Sequence, residues 1–322
     1  MKILFYPKPT KDELEVLRGA AGDAETIVAS TEEEAIEKIV DCDALYHHIT
    51  PAMLKSARNL RWIQLSTVSM ERWIFPELID HPVEISNIRG VFNDVIGDHV
   101  MSLILCLARH LHTYVAAQRD RRWIKVDPYH PDRAVLDPII LNGQTLGIVG
   151  LGGIGTATAQ RAKAFGMRVL ATDLRPMERP EFVDRTWTLD GLDEMLSESD
   201  FVAICAGLTP TSQGLFDTRR IAKMKPSAYL INIGRGKVVS LDALTTALRE
   251  KRLAGAALDV FETEPLPSES ELWTMPNVVI TPHVAGSTMQ LGTRRLRLVA
   301  GNIDRFVRGE TPINLTDKAA WC

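Results

Sequence analysis

The segment Gly150-Leu151-Gly152-Gly153-Ile154-Gly155 constrains this chain more than any other. It follows a short apolar run, Leu146-Gly147-Ile148-Val149, and opens a stretch with helical apolar spacing at Ala159, Ala162 and Phe165. A further apolar run, Met167 to Ala171, then ends in Thr172-Asp173. Glycines so spaced between strand and helix form a phosphate cradle. The first allows a tight turn, the second lets the backbone approach a pyrophosphate, and the third lets helix and strand pack closely. The helix N-terminus adds unpaired N–H groups that face the phosphates. Asp173 lies about 20 residues beyond the glycines, where an acid bonds the ribose hydroxyls. The segment therefore predicts a βαβ unit that binds a dinucleotide.

The pattern continues beyond it. Strand candidates after Leu146–Val149 are Val169–Thr172, Phe201–Cys205, Tyr229–Ile233, Ala256–Asp259 and Val278–Thr281, mostly separated by helical patterns. This is a doubly wound parallel sheet. The chain before residue 98 also alternates strand and helix. Ile3–Phe5, Thr26–Val28, Asp43–Tyr46, Leu60–Leu65 and Val83–Ser86 read as strands. Helices are expected over Asp12–Ala20, over Thr31–Val40 with a capping box at Thr31, and after Thr50-Pro51. Asp98–Leu111 reads as one long helix, apolar almost all round and buried between domains or subunits. Residues 119–140, with Pro128, Pro131 and Pro138, read as a connecting excursion, and Met289–Val307 as a charged amphipathic helix. A length of 322 residues suits two domains.

Composition narrows the class of partner. The chain is 45% hydrophobic and 24% charged, with a net charge of −4. That balance gives no expectation of nucleic acid, and the basic clusters Arg119–Arg122 and Arg294–Arg297 read as solvated helix faces. Cys42, Cys106, Cys205 and Cys322 show no CxxC spacing, so neither a metal site nor a disulfide framework is expected. Cys106 and Cys205 read as core residues. The longest apolar stretch, Val100 to Ala108, is far short of the roughly 20 residues that span a bilayer. The apolar run at the N-terminus is too short for a signal peptide. The expectation is a cytoplasmic protein with no membrane partner.

Ligands of open parallel sheets bind outside the carboxyl ends of the strands. Three successive strand ends carry Gly234-Arg235-Gly236, then Val260-Phe261-Glu262-Thr263-Glu264, then Pro282-His283-Val284-Ala285-Gly286. A cation, an acid and an imidazole thus share the cofactor edge. Oxidising a secondary alcohol requires a base for the hydroxyl proton while hydride leaves. A histidine suits that task, and a carboxylate on its other nitrogen fixes the tautomer. An arginine can hold a substrate carboxylate through two parallel bonds.

On these motifs the chain resembles the D-isomer-specific 2-hydroxyacid dehydrogenase family. The resemblance rests on the Gly150 fingerprint, Asn232–Gly236, Ala257–Pro265 and Thr281–Ser287. It extends to Asn87–Arg109 and Leu208-Thr209-Pro210. It implies an α/β fold of two doubly wound parallel-sheet domains. A Rossmann cofactor domain, residues 98–287, is inserted into a flavodoxin-like substrate domain, residues 1–97 plus 288–322, and the two close over a cleft. It implies His283 as acid/base, Glu264 as its partner and Arg235 as substrate anchor. The cofactor contacts implied are Gly150, Gly152, Gly153, Ile154, Gly155, Asp173, Arg175, Ala206, Thr211, Ile233, Asp259 and Gly286. The substrate contacts implied are Val68, Ser69, Arg235 and His283. A homodimer formed through the cofactor domain is also implied.

Two stretches depart from the family pattern. Ser66-Thr67-Val68-Ser69-Met70-Glu71 carries Ser69 where glycine is usual, which would strain a glycine-only conformation. Gly207 stands where proline is usual. His47 and His48 follow a strand of the substrate domain and are candidates to line the cleft. Asp173 would repel a 2′-phosphate and favours NAD over NADP, and Arg175 is the contrary sign. The function expected is hydride transfer between NAD and C2 of a small D-2-hydroxy or 2-keto acid, of the glyoxylate, hydroxypyruvate or phosphoglycerate type. The alternative is an NAD(H)-sensing corepressor or scaffold with little turnover.

Overall fold

A computed structural model describes residues 1–124 and 137–321. Pro128, Pro131 and Cys322 lie outside the described residues. The chain divides into two compact units, Met1–Val91 with the chain from Thr288 onward, and Phe92–Ser287.

The first unit is built on strands β1 (Lys2–Tyr6), β2 (Glu25–Val28), β3 (Ala44–His47), β4 (Trp62–Gln64) and β5 (Glu84–Ser86). All pairings are parallel, and the order is β2-β1-β3-β4-β5. Alternate residues Leu4, Leu45, Ile63 and Ile85 enter one core with Ala35, Ile39, Met53, Leu54 and Leu78. Those partners come from helices α2 (Glu32–Lys38), α3 (Pro51–Ser56) and α4 (Pro76–Asp80), and from the residue that ends α2. The other face meets α1 (Lys11–Ala21) and, late in the chain, α11 (Leu291–Val307). Trp62 stacks on Phe306 with ring centroids 4.9 Å apart. The fully buried Asn302 amide donates to Gln64 Oε1 at 2.7 Å and accepts from the Ile313 N–H at 2.9 Å. These contacts return the C-terminal helix to the first unit.

Local details differ from expectation. The Thr31 hydroxyl caps α2 through the Glu34 N–H, but the Glu34 carboxylate turns to the Ser30 N–H, so no reciprocal box forms there. The reciprocal box is at Thr10 and Glu13. Arg294 and Arg295 are not a solvated face. Arg295 pairs with Glu13 at 2.8 Å and Arg294 donates to the Val91 carbonyl.

The second unit holds β6 (Thr145–Val149), β7 (Arg168–Asp173), β8 (Arg185–Thr188), β9 (Phe201–Ile204), β10 (Tyr229–Asn232), β11 (Gly255–Leu258) and β12 (Val278–Ile280). The order is β12-β11-β10-β9-β6-β7-β8, all parallel. Its central strands are buried on both faces and so read as unbroken apolar runs. Val202, Ile204, Leu230 and Leu258 face a core with α8 (Leu192–Glu198), α9 (Thr218–Ile221) and α10 (Leu241–Arg249). Phe201, Ala203, Ile231 and Ala257 face α5 (Asn93–Ala108) and α7 (Gly153–Ala164).

Three expectations need correction. The sheet has a seventh strand where six were expected: edge strand β8 is only partly covered and so carries no apolar run, and Arg185 lies over the Trp187 ring at 4.2 Å. The expected helix Asp98–Leu111 is instead α5, which stops at Ala108, and a separate α6 (Leu111–Arg119). His110 takes a left-handed φ of 53°, and the two helices are bent by 71°. Nor is α5 apolar all round, since Asp94, Asp98 and Ser102 are exposed along it while Val100, Ile104 and Leu107 enter the core. Finally, Phe165 ends α7 and is 43% exposed. Among the described residues no single helix is long and apolar enough to cross a membrane.

Candidate active site

The glycine turn after β6 is shaped by contacts that exclude side chains. Gly150 has φ +93°, and a Cβ there would lie 2.8 Å from the Ala206 nitrogen. A Cβ on Gly155 would lie 2.1 Å from the Gly150 carbonyl oxygen, so strand and helix meet through that glycine. A Cβ on Gly152 would meet nothing within 4 Å. Gly152 caps α7 without any side-chain hydrogen bond. An open backbone at an uncapped helix N-terminus fits the diphosphate of a dinucleotide. Ile154 lies in the first turn of α7, and Gly153 packs against the Asn93 amide.

Asp173 ends β7 and is already oriented. Its Oδ2 accepts the Leu151 N–H at 2.8 Å, which ties the acid to the glycine turn. Arg175 is exposed just beyond it. Across the turn, Ala206 follows β9, and Thr211 lies exposed in a turn closed by Thr209 and Ser212. Gly207 has open space where a Cβ would stand. Cys205 packs on the core, and loss of solvent pushes its thiol up to about 12. Cys42 is likewise pushed up, to about 11. At neutral pH both are neutral thiols, as buried cysteines in apolar surroundings are. Cys106 is only partly buried.

The reacting edge is formed by the ends of β10, β11 and β12, which are neighbours in the sheet. After β10, Ile233 is buried and Arg235 sits between two glycines in an extended conformation. A Cβ at Gly234 would lie 2.2 Å from the Ala206 carbonyl oxygen. One at Gly236 would run into the backbone of Phe261. The buried Asn232 clamps this loop, accepting from the Gly234 N–H at 3.1 Å and donating to the Arg235 carbonyl at 3.2 Å. Asn232 was not among the expected site residues. Its position, two before a glycine, is the signal for such a turn.

After β11, Glu264 divides its carboxylate. Oε1 accepts the Phe261 N–H at 3.0 Å, and Oε2 meets His283 Nδ1 at 2.7 Å. The carboxylate can only accept, so Nδ1 carries the proton and Nε2 is left as the basic nitrogen. His283 itself takes a left-handed φ of 53°. Its N–H bonds the Asp259 carbonyl at 2.8 Å. The Asp259 side chain is 1% exposed and accepts from the Thr281 hydroxyl at 2.5 Å and from the N–H groups of Val284 and Ala285, each at 2.9 Å. Asp259 is thus a buried anchor of the His283 loop. Gly286 closes that loop against the Phe92 ring.

Val68 and Ser69 lie in the first unit, in the loop after β4. Ser69 is not among the residues with positive φ, so the strain expected there is absent. The loop is braced by the Trp73 indole, which donates to the Thr67 hydroxyl, itself a donor to the Ser69 carbonyl. His47 ends β3 and His48 follows it, and both lie against Trp73, at 5.9 and 4.7 Å between ring centroids. Among the described residues no group of three His, Cys, Asp or Glu side chains could hold a metal ion.

Comparison with known proteins bears on this geometry. The sequence model for "D-isomer specific 2-hydroxyacid dehydrogenase, NAD binding domain" matches residues 101–285. A glyoxylate reductase of Thermofilum pendens is 36% identical over 290 residues, covering 89% of this chain and 84% of that protein. A glyoxylate reductase of Pyrococcus horikoshii is 35% identical over 318 residues, covering 97% and 92%. Among solved structures, the NADPH-dependent glyoxylate/hydroxypyruvate reductase of Sinorhizobium meliloti, in complex with NADP and sulfate, matches with a TM-score of 0.78. It is 26% identical and covers 100% of this chain and 99% of its own.

Proposed function

The chain belongs to the D-isomer specific 2-hydroxyacid dehydrogenase family, and on that premise we propose that His283, Glu264 and Arg235 carry its chemistry. It is an oxidoreductase that moves a hydride between a nicotinamide cofactor and C2 of a small 2-hydroxy or 2-keto acid. The alternative of a cofactor-sensing corepressor finds no support in the reductases it resembles. The observation that carries the site assignment is the 2.7 Å bond between Glu264 and His283 Nδ1, on the strand end next to that of Arg235.

When bound, the nicotinamide supplies or accepts the hydride at C2. In reduction, His283 in its protonated form donates from Nε2 to the carbonyl oxygen. In oxidation the same nitrogen takes the hydroxyl proton. Glu264 holds the ring in one orientation and stabilises the imidazolium. Arg235 binds the carboxylate and polarises the carbonyl. Val68 and Ser69, on the first unit, are the further residues proposed to contact substrate, through their backbone N–H groups. The turn Gly150–Gly155 would hold the diphosphate, and Ala206, Thr211 and Ile233 would form the cofactor wall. Asp259 and Gly286 would support the nicotinamide end.

The oriented Asp173 carboxylate supports NAD as the preferred cofactor, with Arg175 as the residue that would admit NADP. Glyoxylate and hydroxypyruvate are the substrates proposed, in line with what the relatives' names say of those proteins. Exposed Leu111, Val115, Trp123 and Ile140 on the second unit support a homodimer through that unit. Free Cys42, Cys106 and Cys205 suit a reducing cytoplasm.

The test is initial-rate oxidation of NADH and NADPH with each acid, followed by chiral analysis of the product. NADH should be used in preference, and hydroxypyruvate should give D-glycerate. L-Glycerate, or no turnover with either acid, would overturn the reading. A preference for NADPH would overturn the Asp173 assignment alone.

A further inference from the structure

Asp259 buries a carboxylate, and the basic side chain that the structure brings to it is His99, on α5. His99 Nε2 lies 3.8 Å from Asp259 Oδ1 and 3.2 Å from the Thr281 hydroxyl oxygen. The Thr281 hydroxyl has one hydrogen, and its oxygen is 2.5 Å from Asp259 Oδ1. A carboxylate only accepts, so that hydrogen points at Asp259. The same oxygen must then accept from His99, which places a hydrogen on Nε2. The result is a directed chain from His99 to Thr281 to Asp259. From Asp259 it passes to the N–H groups of Val284 and Ala285 and, through the Asp259 carbonyl, to that of His283.

We propose that His99 is a positioning residue for His283, acting through the Thr281 hydroxyl and the buried Asp259 carboxylate. His283 needs such support because its φ of 53° is one that a non-glycine residue rarely adopts. Glu264 orients the imidazole ring, whereas the His99 chain fixes the backbone that carries it. His99 also stands on firm ground. Its helix packs on α7 through Gly97, where a Cβ would lie 3.3 Å from Ala157, and Asp98 pairs with Arg161 at 2.6 Å. Threonine has few χ1 choices, which holds its Oγ1 in place, and a donor on that oxygen leaves the hydroxyl hydrogen to rotate towards Asp259.

This inference rests on the reading of His283 as the proton-transfer group, and the two can fail separately. The variants are His99→Leu, His99→Gln, Thr281→Val and the double variant His99→Leu/Thr281→Val. Gln keeps an N–H donor near the position of Nε2. His99→Leu and Thr281→Val should each lower kcat with glyoxylate about tenfold, with little change in NADH affinity. The double variant should be no worse than Thr281→Val, and His99→Gln should recover most of the rate. Amide exchange at Val284 and Ala285 should quicken about tenfold in His99→Leu, a readout that needs no turnover. Multiplying losses, failure of Gln to rescue, or unchanged exchange would overturn the relay. If His99→Leu does not fold, Thr281→Val against Thr281→Ser decides, since only the serine keeps the hydroxyl. Absence of turnover in the wild type, with exchange still altered, would sink the His283 reading and leave the relay standing.

Discussion

His283 gains little for the fold from Glu264. Their side chains are 48% and 32% exposed, and pairs so placed contribute about 0–1 kcal/mol. Orientation of the imidazole is therefore what the bond secures. Glu264→Gln should leave the thermal midpoint nearly unchanged while lowering kcat/KM about a hundredfold, as a rate and a melting curve would show. The glycines separate the same two effects. Gly150→Ala meets both a positive φ and a backbone atom at 2.8 Å, and should cost about 2 kcal/mol or more in urea unfolding. Gly152→Ala meets open space, so it should fold normally and lose affinity for NADH in a fluorescence titration. At this scale Arg235, Glu264, His283 and Asp173 were legible, because each stands at or just after a strand end in a recognisable motif. Asn232, Thr281 and His99 act through hydrogen bonds, and the last spans chain positions 99 and 281, a separation that no local spacing reveals.

Elements were legible where burial forces a pattern. Strands covered on both faces, such as β9 and β11, write continuous apolar runs. Edge strand β8 has no such constraint and leaves no signal. The break between α5 and α6 depends on a left-handed histidine, which carries no sequence mark as glycine would. The end of β3 shows a similar feature with a measurable consequence. His47 has φ 95° and a buried Nδ1 without a partner among the described residues. Burial, with His48 next to it, pushes its pKa down from 6.5 to about 4. Between those values the unfolded chain binds a proton that the folded chain does not. Stability from this group is complete above pH 6.5 and is lost as pH falls towards 4, by at most about 3 kcal/mol. Asparagine tolerates positive φ, so His47→Asn should show a smaller loss of urea stability between pH 7 and 4.5 than the wild type. An equal loss in both would show that His47 is protonated in the folded protein.

On the scale of the whole molecule, both sheets place their loops at strand carboxyl ends by the same winding rule. The orders β2-β1-β3-β4-β5 in one unit and β12-β11-β10-β9-β6-β7-β8 in the other are each made by crossover connections between parallel strands. A doubly wound parallel sheet was readable from the glycine turn outwards, whereas the strand order was not, because it depends on which sheet edge each crossover returns to. Self-association was less legible, since exposed apolar residues carry no address for their partner. Sedimentation at micromolar concentration should give a dimer, and Leu111→Glu with Val115→Glu should give a monomer. The central claim is that a Glu264-held His283 transfers the proton, and it is tested most directly by His283→Asn with NADH and glyoxylate. The account predicts a fall in kcat of about 10²–10⁴ with NADH affinity retained. A His283→Asn protein that keeps kcat within about threefold of the wild type would contradict it.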